Sequence, residues 1–266
     1  MFENRNYRSK SNREGLVSFK ITVKETDLHI QASSDLSRIA QNKVLELRGF
    51  VENYTTIHPE FVTSFTPLEP VIPIIPQIVR DMIEAGKKAG VGPMAAVAGA
   101  IAELTGEELL KYSSEVIVEN GGDIFFKINS PMVFTIFAGK SPLSMKIGAR
   151  ISPRKSYADS SIKKIISEKN TTINRLITYS GMALCTSSGT VGHSISFGKA
   201  DAATVISQSC AVADAAATAI GNMVKQDSDI EKAIEAGKCI EGVEGIIIIK
   251  GKRLGAWGDL ELVRVS

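Results

Sequence analysis

The spacing of apolar and polar residues changes several times along this chain, and each change marks an element. After a polar opening stretch, LVSFKITVKE and TDLHIQAS alternate apolar with polar positions on either side of a short break, which predicts an antiparallel hairpin. From Ser34 the spacing lengthens. Leu36, Ile39, Ala40, Val44, Leu47 and Val51 recur at helical intervals, so an amphipathic helix of about five turns follows, with Ser34 and Asp35 as cap residues. PLEPVIPIIP ends that pattern, because its prolines remove amide donors and hold their predecessors extended; it reads as a stiff connector.

Pro76 opens the next helix, whose stripe of Ile78, Val79, Met82 and Ile83 stops at Gly86 or Gly90. A second helix, PMAAVAGAIAELTGEELLKYSS, follows at once, rich enough in Ala and Gly for another backbone to pack unusually close. EVIVENGGDIFFKI predicts strand, turn and strand, and MVFTIFAG and LSMKIGARI continue the series as an antiparallel meander. The charged, Ser-, Lys- and Asn-rich stretch 152–177 reads as an excursion from the core. Strands resume with MALCTS, HSISFG and AATVISQS, followed by the helices CAVADAAATAIGNMV and DIEKAIEAGKC and a closing hairpin through EGIIIIKGKRLGAWGDLELVRV. The outcome is an α+β domain spanning 15–266 behind a flexible basic tail, 1–14.

Composition narrows the function classes. The chain has 266 residues, 44% of them hydrophobic, enough for one sizeable core. Its net charge of +2 is spread thinly, and Arg5, Arg8, Lys10 and Arg13 are interleaved with Glu3 and Glu14, so no nucleic-acid partner is expected. No apolar run approaches the roughly 20 residues a bilayer span needs, and MFENRNYRSK has no signal-peptide core. Three scattered cysteines argue against a disulfide framework and for a reducing cytoplasm.

Four patches carry candidate chemistry. Asp214 and Thr218 stand four apart on an Ala-rich helix and project from one face; a carboxylate and a hydroxyl suit magnesium or calcium, although capping and back-bonding to a carbonyl would explain the same residues. Asn120, Gly121 and Gly122 form a turn that either lets a phosphate approach or simply closes a hairpin. Thr186, Ser187, Ser188, Gly189, Thr190, Gly192 and His193 crowd hydroxyls, glycines and an imidazole into one loop, which can gather donors around phosphate oxygens or serve as a polar turn. Gly99 and Glu103 share a helix face whose default reading is close packing. FAGKS is no nucleotide-binding P-loop, since Phe134 stands where its first glycine would be, and Cys185 reads as a small buried hydrophobe.

Read in order, GPMAAVAGAIAE, VIVENGGDI, CTSSGTVGHSISFGKAD and VADAAATAIGN resemble the blocks of the ApbE-like family, relatives of the FAD:protein FMN transferases, over about Leu16 to Val265. The resemblance implies an α+β fold like the tunnelling fold, with antiparallel sheets and helices packed on one face. It implies magnesium held by Asp214, Thr218 and the carbonyl of Val97 beside a bound FAD or FMN. It also implies a catalytic set of Asp214, Thr218 and His193, and a nucleotide pocket at Gly99, Glu103, Asn120, Gly121, Gly122, Asp123, Thr186, Ser187, Ser188 and Gly189. Where the transferases carry lysine before the first of these glycines this chain has Ala98, and SISFGKA replaces their Asp-Pro-x-Thr-Gly stretch. The partner implied is a small anionic metabolite. Alternatives from the same resemblance are a sulfide-assimilation role in homocysteine formation and a non-catalytic flavin-binding protein. Long antiparallel sheets leave edges to cover, which favours a homo-oligomer.

Overall fold

A computed structural model describes residues 13–70, 74–153, 181–190 and 197–265. Most of the 152–177 excursion, most of the expected strand HSISFG, the tail before Arg13 and His193 lie outside the described residues.

Strands β1 (Val17–Val23) and β2 (Thr26–Ala32) form the expected hairpin. Helix α1 (Ser37–Ile57) follows, but its N-cap is Leu36, not Ser34 or Asp35; the Asp35 carboxylate instead accepts from the Ser37 amide at 2.9 Å. The short helix α2 (Glu60–Thr63) leads to the proline connector and to α3 (Gln77–Ala89), which starts after Pro76 and stops at Gly90 in the left-handed conformation, φ +73°. A 3-10 turn, Pro93–Ala96, feeds α4 (Val97–Leu109). The helix ends five residues short of the expected Ser114, because Ser113 is buried and ties the chain to Ser33.

Strands β3 (Val116–Asn120), β4 (Asp123–Lys127), β5 (Met132–Thr135), β6 (Ile147–Ile151), β7 (Met182–Ser187) and β8 (Ala202–Ser207) come next. They are followed by α5 (Cys210–Met223), α6 (Ile230–Lys238), β9 (Val243–Lys250), β10 (Arg253–Gly258) and β11 (Glu261–Arg264). The meander is corrected in one respect. Eight strands make an antiparallel sheet in the order β1-β2-β3-β4-β7-β8-β9-β10, while β5 and β6 leave it and pair with β11 in a separate three-stranded sheet, β11-β6-β5.

The helices cover one face of the large sheet, as the resemblance implies, and the small sheet packs against the other. Odd and even strand positions therefore serve different cores. Val116, Val118, Ile246 and Ile248 meet the helices, whereas Ile117, Phe126, Ile247 and Ile249 meet Phe134, Ile136 and Ala149 beneath the small sheet. A run of four isoleucines, Ile246–Ile249, is what a strand buried on both faces requires.

Candidate functional site

The first turn of an α-helix leaves its amides without intrahelical acceptors. Here two helices satisfy each other. Glu103, buried in α4, accepts with Oε2 from the Cys210 amide at 2.8 Å, the Ala211 amide at 3.3 Å and the Ser209 hydroxyl at 3.1 Å, all at the start of α5. In return Asp214, one turn into α5, accepts with Oδ2 from the Gly99 amide at 2.9 Å, and the Ala98 amide also aims at its carboxylate. Gly99 is what lets the backbones approach. A Cβ there would stand 2.3 Å from the Cys210 carbonyl oxygen and 2.9 Å from the Asp214 Cβ.

The β3–β4 turn joins this contact. Asn120 donates from Nδ2 to the Ala98 carbonyl at 3.1 Å. Gly121 takes φ +79°; Gly122 does not, and its missing side chain matters for a different reason, since a Cβ would lie 2.7 Å from the Thr186 carbonyl oxygen. Asp123 is buried opposite Cys185 in the β4–β7 register, on the face that meets the helices. Burial pushes the Asp214 carboxyl well above its ordinary range and the nearby charge of Asp123 pushes it further, while the Gly99 and Ala98 amides pull the other way. Among the described residues no lysine or arginine pairs with Asp214.

Thr218 is half-buried one turn beyond Asp214, and its hydroxyl has no hydrogen-bond partner among the described residues, so back-bonding does not account for it. Val97 opens α4 beside the two amides that face Asp214. Among the described residues no three His, Cys, Asp or Glu side chains stand in metal-holding geometry. A cation here would rest on Asp214 with hydroxyl and carbonyl oxygens, which is a donor set for a hard ion.

The serine- and glycine-rich loop lies farther along α5. Ser187 faces Gly221, seven residues or about 10 Å of helix from Asp214. A Cβ at Gly189 would meet the Gly198 carbonyl oxygen at 2.2 Å and one at Gly198 would meet the Gly221 carbonyl oxygen at 1.9 Å, so three backbones stack without side chains between them. Ser188 accepts from the Thr190 amide at 3.1 Å, Thr186 meets the Thr204 hydroxyl at 2.9 Å, and Thr190 reaches Asp201 at 3.4 Å. Asn222, at the end of α5, holds the Phe197 amide at 2.8 Å, and the Phe197 ring meets Phe65 edge-on at 5.1 Å.

Helix α5 is thus a spine. Gly99, Asn120, Gly122, Asp123, Asp214 and, by position, Val97 gather along its first two turns, Thr218 opens the third, and Ser187, Ser188 and Gly189 gather at its far end. Glu103 caps the start of α5 through Oε2. Asp201 and Asn222 end two of the family blocks but had no role assigned to them, and Phe65 escaped the reading of the sequence, because nothing in its local spacing separates it from ordinary surface residues.

The model of the family described as AbpE bacteria matches residues 8–158 and 162–255. A UPF0280 protein of Methanococcus aeolicus is 37% identical over 249 residues, covering 92% of this chain and 91% of the relative. A UPF0280 protein of Methanocaldococcus jannaschii is 36% identical and covers 93% of each. Among solved structures, the flavin transferase ApbE from Vibrio cholerae superposes with a TM-score of 0.53 at 12% identity, over 91% of this chain and 96% of that one. The apo flavinyl transferase ApbE of Pseudomonas stutzeri gives 0.56 at 11% identity, over 91% and 94%. At that identity the likeness is one of fold.

Proposed function

From the premise that the chain belongs to the AbpE bacteria family, we propose that it is a magnesium-dependent enzyme acting on a flavin nucleotide or another diphosphate-bearing metabolite at the head of α5. One observation carries the reading: a half-buried carboxylate, Asp214, that accepts from two amides and feels the charge of a second acid, Asp123. A carboxylate facing a second acid's charge is stabilised when a proton or a cation neutralises it. Thr218 offers a hydroxyl with no other partner among the described residues, and Val97 offers a carbonyl at the start of α4.

Magnesium bound there would neutralise diphosphate charge and stabilise a departing phosphate. The chain's own residues orient and exclude. The Gly99 amide fixes Oδ2 of Asp214, and the Ala98 amide also holds the carboxylate. The glycines at 122, 189 and 198 let the turn, the loop and α5 pack backbone to backbone, which holds the surroundings of the head of α5 in place. The names of the structural relatives, flavin and flavinyl transferases, favour a flavin as the ligand. Ala98, in place of the transferases' lysine, takes a positive charge out of this region.

Titration calorimetry of FAD into wild type, with and without magnesium, tests the reading. Saturable heat that requires magnesium and vanishes in Asp214→Asn is expected; its absence in wild type overturns the proposal. Turnover of FAD to FMN, lost in the same variant, would establish an enzyme. The proposal extends to a reducing cytoplasm, in keeping with free thiols at Cys185, Cys210 and Cys239, and to self-association through the open edges β1 and β10. Among the described residues no single helix is long and apolar enough to cross a membrane.

A further inference from the structure

Two of the three cysteines meet. Cys185 on β7 and Cys210, the first residue of α5, are fully buried, and their sulfurs lie 3.4 Å apart across the boundary between the large sheet and the helices. The thiols point at each other, and Cys185 Sγ also donates to the Cys210 carbonyl at 3.4 Å. A disulfide needs its sulfurs about 2.05 Å apart, so closing this contact brings the two sulfurs nearer by about 1.4 Å. Cys239 is exposed and far along the chain, at the end of α6.

From this geometry we infer that Cys185 and Cys210 are a dithiol site that hydrogen peroxide converts to an intramolecular disulfide, pinning the start of α5 to the large sheet. The chemistry balances with peroxide as the two-electron oxidant. One sulfur attacks the peroxide, breaking its O–O bond, and gives a sulfenic acid and one water. The second sulfur displaces the hydroxyl as a further water and forms the S–S bond, so two thiols are oxidised and one peroxide is reduced to two waters. The reagent has to be small, because neither sulfur is open to solvent. Burial keeps both thiols protonated, with Cys210 pushed up to about 12, so the pair withstands mild conditions and reacts slowly.

The crosslink has a structural consequence at the head of α5. The Cys210 carbonyl is the group on which Gly99 packs, and the Cys210 amide is held by Glu103. Oxidation removes the S–H donor from that carbonyl and draws Cys210 toward β7, away from α4. Asp214 stands one turn later on the same helix. On the proposed cation-binding reading, the oxidised protein binds magnesium more weakly than the reduced one.

The test treats full-length protein with hydrogen peroxide, unfolds it, blocks free thiols by alkylation and maps the peptides by mass spectrometry. A Cys185–Cys210 peptide lighter by two hydrogens, absent from Cys185→Ser, retained in Cys239→Ser and reversed by dithiothreitol, is the expected result. Alkylation of both buried cysteines after treatment, or their separate conversion to sulfinic acids without a crosslink, overturns the inference. Mapping wild type and Cys239→Ser decides the matter even if Cys185→Ser fails to fold. Calorimetry with magnesium on oxidised and reduced samples then reads the consequence, and its failure leaves the crosslink result standing.

Discussion

Asp214 is the residue whose ionisation bears on stability and, on the proposed reading, on ligand binding. Its carboxyl is raised above 3.8, so between that pH and its elevated native value the folded protein holds a proton that the unfolded chain has released. Stability contributed by this group is complete below about pH 4 and declines as pH rises through the window. Denaturation midpoints of the metal-free protein, measured across that range, should fall in wild type and stay flatter in Asp214→Asn, and magnesium should restore wild type alone. Gly99→Ala is expected to cost about 1–3 kcal/mol, because the new methyl meets the Cys210 backbone rather than a movable side chain. In a protein of this size each kcal/mol lowers the melting temperature by about 2–4 °C. Spacing made Asp214 and Thr218 visible together in the sequence. The same reasoning could not reveal that Glu103 caps a helix more than a hundred residues later, because that relation exists only after the chain has folded back.

Between elements, the strongest relation is the exchange of carboxylates by α4 and α5, each capping the other's first turn. Glu103→Ala leaves two amides and a hydroxyl buried without their acceptor, at about 1–3 kcal/mol. Glu103→Gln keeps an acceptor oxygen and should lose less; equal losses in thermal melts of the two variants would mean that packing, not capping, sets the cost. Most elements were legible from periodicity: the β1–β2 hairpin, α1, α3 after Pro76, and the glycine turn before Asp123. Boundaries were less so. Helix α4 stops at Leu109 because Ser113 is drawn into hydrogen bonds with Ser33 and with the Glu115 carbonyl, a tertiary demand that the helical pattern of its sequence does not register.

For the molecule as a whole, two cores share one sheet. Phe126 of the large sheet and Phe134 of the small one meet at 4.4 Å between ring centres, tilted by 36°. Phe134→Ala should cost about 3–5 kcal/mol and loosen the second core first, seen as faster amide exchange in β5, β6 and β11 than in the strands under the helices. The departure of β5 and β6 from the meander was not legible. An apolar strand pattern marks a strand but says nothing about which of two sheets it joins.

Closure of the small sheet by β11, from Glu261 opposite Arg150 to Arg264 opposite Ile147, has a consequence for biogenesis. Translation delivers β6 long before the segment that flanks it, and at about 5–20 residues per second the interval is on the order of ten seconds. Throughout it the nascent polypeptide carries a naked strand margin and a greasy underside. Until β11 is available, that margin is open to pairing with another chain.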